Sequence, residues 1–462
     1  MYEHIAEDLL TFIRKSPTCF QAIANVKEEL AGAAFTELRE DQSWNIVPGG
    51  KYYVTRNDSS LIAFMVPAGD AGAGADQQAG LPRIPGYRII ASHSDSPSFK
   101  IKPNAEMESA GAYIRLNVES YGGGIYHTWF DRPLGIAGRV VLREKDAEAG
   151  TPGRIVSRNI FIDEDLLIIP SLAIHMKHDV NSNLSLNVQE DLLPLFGDAS
   201  EKGALAKIIA EAAGCAPEDI LAEDLFLVAR TEPTFLGASK EFIASPRLDD
   251  LECVYGSLRG FLGAVGASQG TEGAAEGSVP GDIAVLAVFD NEEVGSTTKQ
   301  GAASTFLSDT MERIAEGLGF SGEAYHQMLA KSFMVSADNA HAVHPNAAGK
   351  ADPVNRPQMN KGIVLKHNAA QKYTTDAISG AIFKAICKDN DVPFQEFTNR
   401  SDERGGSTLG NIANTQVSMN TVDIGLPQLG MHSCYETAGA KDPEYLARFS
   451  EGYYRFPDVT VG

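Results

Sequence analysis

Three apolar runs constrain this chain more than anything else in it: YRIIASHSD (87–95), IAVLAVFDNEE (283–293) and SFMVSADNAH (332–341), each ending in polar, mostly acidic residues. Continuous hydrophobicity over five to eight residues marks a strand buried on both faces, as found inside a sheet covered by helices. Helical stretches such as TTDAISGAIFKAICKDN (374–390) lie between such runs. The alternation predicts an α/β fold with a mixed sheet flanked by helices. Open sheets of that kind carry their sites beyond the carboxyl ends of the strands, where these polar residues lie.

Around those runs, the first 45 or so residues read as two helices, with Ile5, Leu9, Leu10, Phe12 and Ile13, then Phe20, Ile23, Val26 and Leu30, at helical spacing. KYYVTRNDSSLIAFMV reads as a hairpin turning at Asn57-Asp58-Ser59. The stretches 68–82 and 263–281, rich in Ala and Gly, read as exposed loops. From 99 to 232 the pattern becomes β-rich with glycine punctuation (AYIRLNVESY, GIAGRVVLRE, GRIVSRNIFID), with a helix expected at 201–213. This predicts an inserted domain at 99–232 within a catalytic domain made of 1–98 and 233–462. The chemistry resumes at SPRLDDL (245–251), so the site is split in sequence and rejoined in space. No internal repeat is visible.

Composition narrows the partners. The 462 residues are 43% hydrophobic and 22% charged, with 39 Lys and Arg against 61 Asp and Glu, a net charge of −22. That composition belongs to globular proteins, and its sign argues against nucleic acid or an anionic membrane as partner. The opening MYEHIAEDLLTFIRKS carries charges where a signal peptide needs an apolar core, and the runs 61–66 and 166–170 are too short to span a bilayer. Five scattered cysteines (Cys19, Cys215, Cys253, Cys387, Cys434) with no CxxC pair suit a reducing compartment. A cytoplasmic protein is expected.

Several side chains could carry chemistry. In a strand, residues two apart share a face, so Asp95 can orient His93 as a metal ligand. Asp290-Asn291-Glu292-Glu293 follows a buried strand, where adjacent carboxylates either repel or share a cation, one ligating and its neighbour moving a proton. Asp338, Asp249-Asp250 and His432 complete a set of oxygen and imidazole groups at apparent strand ends of one sheet. Two histidines and three acids suffice for two divalent ions if one Asp bridges them. On this reasoning Glu292 is not distinguishable from Glu293, nor Asp249 from Asp250.

Six strings in order along the chain, SHSDSP (92–97), YGGGIYHTWFDRPLGIAGRV (121–140), SPRLDDL (245–251), FDNEEVGS (289–296), DNAHAVHPN (338–346) and LGMHSCYE (429–436), closely resemble the M18 metallopeptidases, the aspartyl aminopeptidase family. The resemblance implies a binuclear-zinc aminopeptidase fold with an inserted β-rich dimerisation domain, and a homodimer assembling into a tetrahedral dodecamer. It implies two zinc ions per subunit, replaceable by cobalt or manganese. His93 and Asp338 would ligate one zinc and Glu293 and His432 the other, with Asp249 bridging. Glu292 would be the general base and Asp95 the partner of His93. Lys366, His341 and Tyr373 would form the substrate pocket, and His175 would serve a neighbouring subunit's site. The implied activity is release of an N-terminal Asp or Glu from peptides. The rivals are a neutral-residue aminopeptidase or N-acyl amino-acid deacylase on the same fold, and a self-assembling scaffold with a vestigial site.

Overall fold

The computed structural model describes residues 4–68, 83–144, 153–266, 281–403 and 405–460. Nine strands form the central sheet, in the spatial order Thr36–Leu38, Lys51–Arg56, Ser60–Met65, Ile283–Phe289, Tyr87–His93, Phe333–Ala337, Asn420–Gly425, Ile363–His367 and Phe394–Thr398. Tyr87–His93 runs parallel to both Ile283–Phe289 and Phe333–Ala337, so their carboxyl ends emerge side by side. Every residue of these three strands is buried. That explains their unbroken hydrophobicity, each fully buried Ile, Val or Leu contributing roughly 1.5–3 kcal/mol.

Helices cover both faces. On one face, Ile5–Lys15, Cys19–Gly32, Leu248–Gly266, Ala377–Asp389 and Asp442–Arg455 share a core that includes Leu9, Val254, Phe261, Phe383 and Tyr454. On the other, Phe306–Gly317 and Glu323–Ala330 pack around Phe64, Phe289, Phe306 and Met311. Helix Ala377–Asp389 starts where its sequence says it should: the Asp376 carboxylate accepts from Ser379 N at 2.8 Å, and the Ser379 hydroxyl accepts from Asp376 N at 3.0 Å.

A second sheet of six antiparallel strands draws all its residues from between Ser98 and Ala229, in the order Ile155–Leu167, Leu134–Arg143, Ile220–Ala229, Ser98–Ser109, Tyr113–Tyr121 and Leu195–Asp198. It has its own core around Leu116, Ile136, Leu225 and Ile209, the last from helix Ala204–Ala213. A third, five-stranded sheet joins Thr234–Leu236, Phe242–Ser245, Glu436–Gly439, Pro427–Leu429 and Ala340–His341.

Three expectations need correction. The first 45 residues hold the edge strand Thr36–Leu38 as well as two helices; three largely exposed residues are too few to carry a period. Residues 263–266 are the last turn of helix Leu248–Gly266 rather than loop, while 69–82 and 267–280 lie outside the described residues. Asp249 and His432 do not stand at strand ends of the central sheet: Asp249 sits in the first turn of helix Leu248–Gly266, and His432 lies between two strands of the third sheet. Among the described residues no helix is long and apolar enough to cross a membrane.

Candidate metal centre

Register places the first groups. His93 pairs with Phe289, and Ser336 with Ala91, so the chain leaves all three central strands at one level. His93 ends its strand, Asp338 follows Ala337, and Glu292-Glu293 follow Phe289 in a short 3-10 turn entered through Asn291 at φ 63°. Neighbouring strands lie about 4.8 Å apart, so groups at their ends meet without any long reach.

Asp249 and His432 arrive from opposite the sheet end. Asp249 and Asp250, joined by a cis peptide bond, have non-helical dihedrals within the first turn of their helix. Asp249 Oδ1 lies 3.4 Å from His93 Nε2, while its Oδ2 lies 3.5 Å from His432 Nε2. Glu293 Oε2 is 3.5 Å from the same His432 nitrogen. Three overlapping groups of close ligand atoms result among the described residues, His93 with Asp249, Asp250 and Asp338, His432 with Asp249 and Glu293, and His93 with Glu292 and Glu293. Asp249 belongs to the first two and turns one oxygen to each.

The outer nitrogens of both rings are engaged. His93 Nδ1 donates to the Asp95 carbonyl at 3.0 Å and His432 Nδ1 to the Gly123 carbonyl at 3.0 Å. That leaves each Nε2 directed at the carboxylates, the nitrogen a metal ligand would use. Donor atoms around a tetrahedral zinc at about 2.1 Å are some 3.4 Å apart, so the spacings fit a shared ion better than hydrogen bonds. Asp249 Oδ1, Asp250 Oδ1 and Glu293 Oε1 are buried with no hydrogen-bond partner. Unpartnered carboxylate oxygens at such depth are costly unless a cation lies among them, so these residues fit a pair of divalent ions.

The electrostatics reflect the crowding of these acids. Burial, then the Asp249 charge, pushes the Glu293 carboxyl well up. Burial raises Glu292 to about 8, with Asp338 and Asp95 adding to it against His93. For the imidazoles burial acts downward, but the carboxylates outweigh it, holding His93 well above its usual value and His432 at about 10. Asp249 is the exception: burial would raise its carboxyl, yet His432 and His93 hold it below its usual range.

Asp95 is placed differently from a simple partner of the His93 ring. Its carboxylate stands 3.4 Å from Nδ1 and gives its shorter contacts elsewhere, accepting from Glu292 N at 3.1 Å, Glu293 N at 3.2 Å and the Tyr121 hydroxyl at 2.7 Å.

Lys366, His341 and Tyr373 come together beside Asp338. Lys366 is only 3% exposed, and its ammonium donates to the Asn339 carbonyl at 2.8 Å, lies 3.9 Å from Asp338 Oδ1 and 5.4 Å from the Tyr373 ring centre. Burial would lower its pKa, but Asp338, Tyr373 and Asp423 hold it above the usual lysine range, so it remains a cation. His341 and Tyr373 flank Phe397, each ring 6.3 Å from it. His341 keeps an exposed edge, but crowding by protein, then the Lys366 charge, lowers its pKa. His175 is not brought to the cluster within one chain. It is exposed on the segment between residues 170 and 187, beside exposed Leu172, Ile174, Met176 and Leu184.

Sequence reasoning passed over Glu436 and Tyr121. Glu436, fully enclosed, accepts from Asp249 N at 3.0 Å and His432 N at 2.7 Å, holding both groups by their backbones. Burial, then Asp249, raises its carboxyl to about 8. Its signal was an acid closing the string LGMHSCYE, four residues after the histidine.

The sequence model of the family described as aminopeptidase I zinc metalloprotease (M18) matches residues 12–454. The chain belongs to the M18 family. A probable M18 family aminopeptidase 2 of Clostridium acetobutylicum is 45% identical over 453 residues, covering 97% of this chain and 98% of its own. Aspartyl aminopeptidase 1 of Schizosaccharomyces pombe is 37% identical over 479 residues, covering 98% and 95%. Among solved structures, Ape4 in its complex with Nbr1 superposes with a TM-score of 0.89 at 35% identity, covering 98% of this chain and 86% of that one. The S. cerevisiae mApe1 dodecamer gives 0.81 at 27% identity, covering 98% and 97%. The mixed α/β fold is thus that of M18 aminopeptidases, and the chain is a metalloaminopeptidase, a hydrolase.

Proposed function

We propose that this M18 enzyme releases an N-terminal Asp or Glu from peptides, using two divalent ions held by His93, Asp249, Glu293, Asp338 and His432. The observation that carries the specificity is the buried Lys366 ammonium beside Asp338. A substrate carboxylate entering there finds a charge-assisted partner away from water, with His341 and Tyr373 at the walls. A Leu side chain finds a polar group it cannot satisfy, which favours this reading over a neutral aminopeptidase.

When bound, the ions supply Lewis acidity towards the scissile carbonyl and lower the pKa of water. Glu292 takes the proton of the attacking water and returns it to the leaving amine nitrogen, and its burial favours a carboxyl that can hold that proton between the two steps. Asp95 holds Glu292 by its backbone nitrogen. We further propose that residues 99–232 form a dimerisation domain, that the chain assembles as a homodimer and then a dodecamer, and that His175 completes a partner's site. The exposed apolar side chains around His175 and the dodecameric state of the yeast mApe1 support this. Five cysteines, all unpaired, suit the cytoplasm. Rates on matched peptides beginning with Asp, Glu or Leu, with and without chelator, test the whole reading. Asp and Glu should be cleaved well ahead of Leu, and chelation should stop both; faster cleavage of Leu would overturn the acidic assignment.

A further inference from the structure

The segment Tyr121 to Ile125 belongs to the six-stranded sheet and its exit, yet it touches the metal centre at four points. The Tyr121 hydroxyl donates to Asp95 Oδ2 at 2.7 Å and accepts from Asn291 Nδ2 at 2.8 Å, closing a ring through the backbone nitrogens of Glu292 and Glu293 that Asp95 also holds. Gly122, at φ 73°, lies against Glu293, so that an added Cβ would meet the Glu293 Cβ at 3.1 Å and its Oε2 at 3.4 Å. The Gly123 carbonyl takes the proton of His432 Nδ1. Ile125 N donates to the His432 carbonyl at 2.9 Å, fixing a residue whose own φ is 67°.

We propose that Tyr121 is a positioning residue of the metal centre and that the strap from Tyr121 to Ile125 sets Glu292, Glu293 and the His432 ring. The six-stranded unit is then a working part of each site, whatever it does in assembly. Asn291 shows what the strap holds. It sits in the left-handed region that Asn tolerates better than most residues, and its side chain is pinned between Tyr121 on one side and Thr298 and Gln300, each at 2.8 Å, on the other. Tyr121 supplies the link that crosses from one sheet to the other. Burial, then the Asp95 charge, keeps its phenol protonated and therefore a donor. The Tyr121 ring meets Phe226 edge-on at 5.5 Å, so loss of the hydroxyl alone leaves the packing in place.

The inference rests on reading the cluster as a metal site, and its test separates the two. Tyr121→Phe is compared with wild type as the metal-loaded oligomer, by metal content under a competing chelator, by the visible absorption of the cobalt-substituted protein, and by kcat and KM on an N-terminal Asp peptide. Partners of metal ligands typically change affinity or activity by 10- to 100-fold. The expected result is unchanged oligomer mass, KM within about twofold, kcat lower by roughly 10-fold or more, an altered cobalt spectrum and metal lost at about tenfold less chelator. A wild-type spectrum and kcat in Tyr121→Phe would overturn the inference while leaving the metal site intact. A wild-type protein that takes up no metal would overturn the metal site itself, and this inference with it. Gly122→Ala gives a second route should the first variant misfold. Its Cβ presses on Glu293, so metal should leave more readily at the Glu293–His432 end, and wild-type retention there would equally overturn the inference.

Discussion

Glu292 and Glu293 are chemically identical neighbours whose surroundings divide them. Glu293 Oε2 lies 3.5 Å from the His432 nitrogen, whereas Glu292 belongs only to the group with His93 and Glu293 and has its carboxyl raised by burial. Glu292→Gln is therefore expected to keep its metal and lose rate by at least ~10²-fold, the usual worth of a general base. Glu293→Gln should lose metal. Elemental analysis beside single-turnover rates distinguishes them, and metal loss in the Glu292 variant would mean that the two roles are exchanged. Lys366 gives a second prediction at this scale. Lys366→Met should lower kcat/KM for Asp peptides by roughly 10²-fold or more while Leu peptides hold steady or improve. The Asp-to-Leu ratio at equal metal loading is the measurement, and an unchanged ratio removes Lys366 from the pocket. The division between Glu292 and Glu293 could not be read from spacing, because Asp95 and Tyr121, which hold the turn that carries both, are remote from it in sequence.

At the level of elements, hydrophobic continuity made the central strands legible, and with them His93, Asp338 and the acids after Phe289. A strand buried on both faces leaves that mark whatever surrounds it. Asp249 and His432 left no such mark: one begins a helix and the other lies in a turn of a small sheet, away from the strand ends expected for them, and only the resemblance of whole strings chose Asp249 over Asp250. The helix Asp442–Arg455 yields a prediction on pH. Its Asp442 carboxylate is buried, accepts from Asn360 N at 2.7 Å and Gly362 N at 3.4 Å, and is raised by burial from 3.8 to about 7. Between those values the folded chain holds a proton that the unfolded chain releases, so this group's contribution to stability falls as pH rises through the window and is flat above it. A shift of that size corresponds to roughly 4 kcal/mol. In Asp442→Asn that slope should vanish, so the variant's stability relative to wild type should improve from about pH 4 to about pH 8 in denaturant titrations. A difference that stays constant across the range would show that the carboxyl does not titrate there.

For the whole molecule, a net charge of −22 repels acidic peptides at long range, and water and salt screen that repulsion beyond about 10 Å. The proposed selection of an acidic residue would then rest on short-range contacts, and within one chain His175 does not reach the metal cluster. That histidine is exposed on a segment whose neighbours Leu172 (54%), Ile174 (51%) and Met176 (74%) are unusually bare for apolar residues, as expected of a surface that a second chain covers. In a two-fold dimer any donation is reciprocal, each chain completing the other's site. His175→Ala should lower kcat more than it raises KM, because a donor to the developing oxyanion acts in the transition state. Mixing then becomes decisive. A His175→Ala chain keeps Glu292, and a Glu292→Gln chain keeps His175, so each mixed dimer contains one complete site although neither parent has any. Random exchange at equal amounts makes about half the dimers mixed, and activity should return to about a quarter of the wild-type value. The readout is the rate on an Asp peptide after subunit exchange verified by a mass-labelled chain. Full exchange without recovery would place the action of His175 in its own subunit or remove it from the reaction.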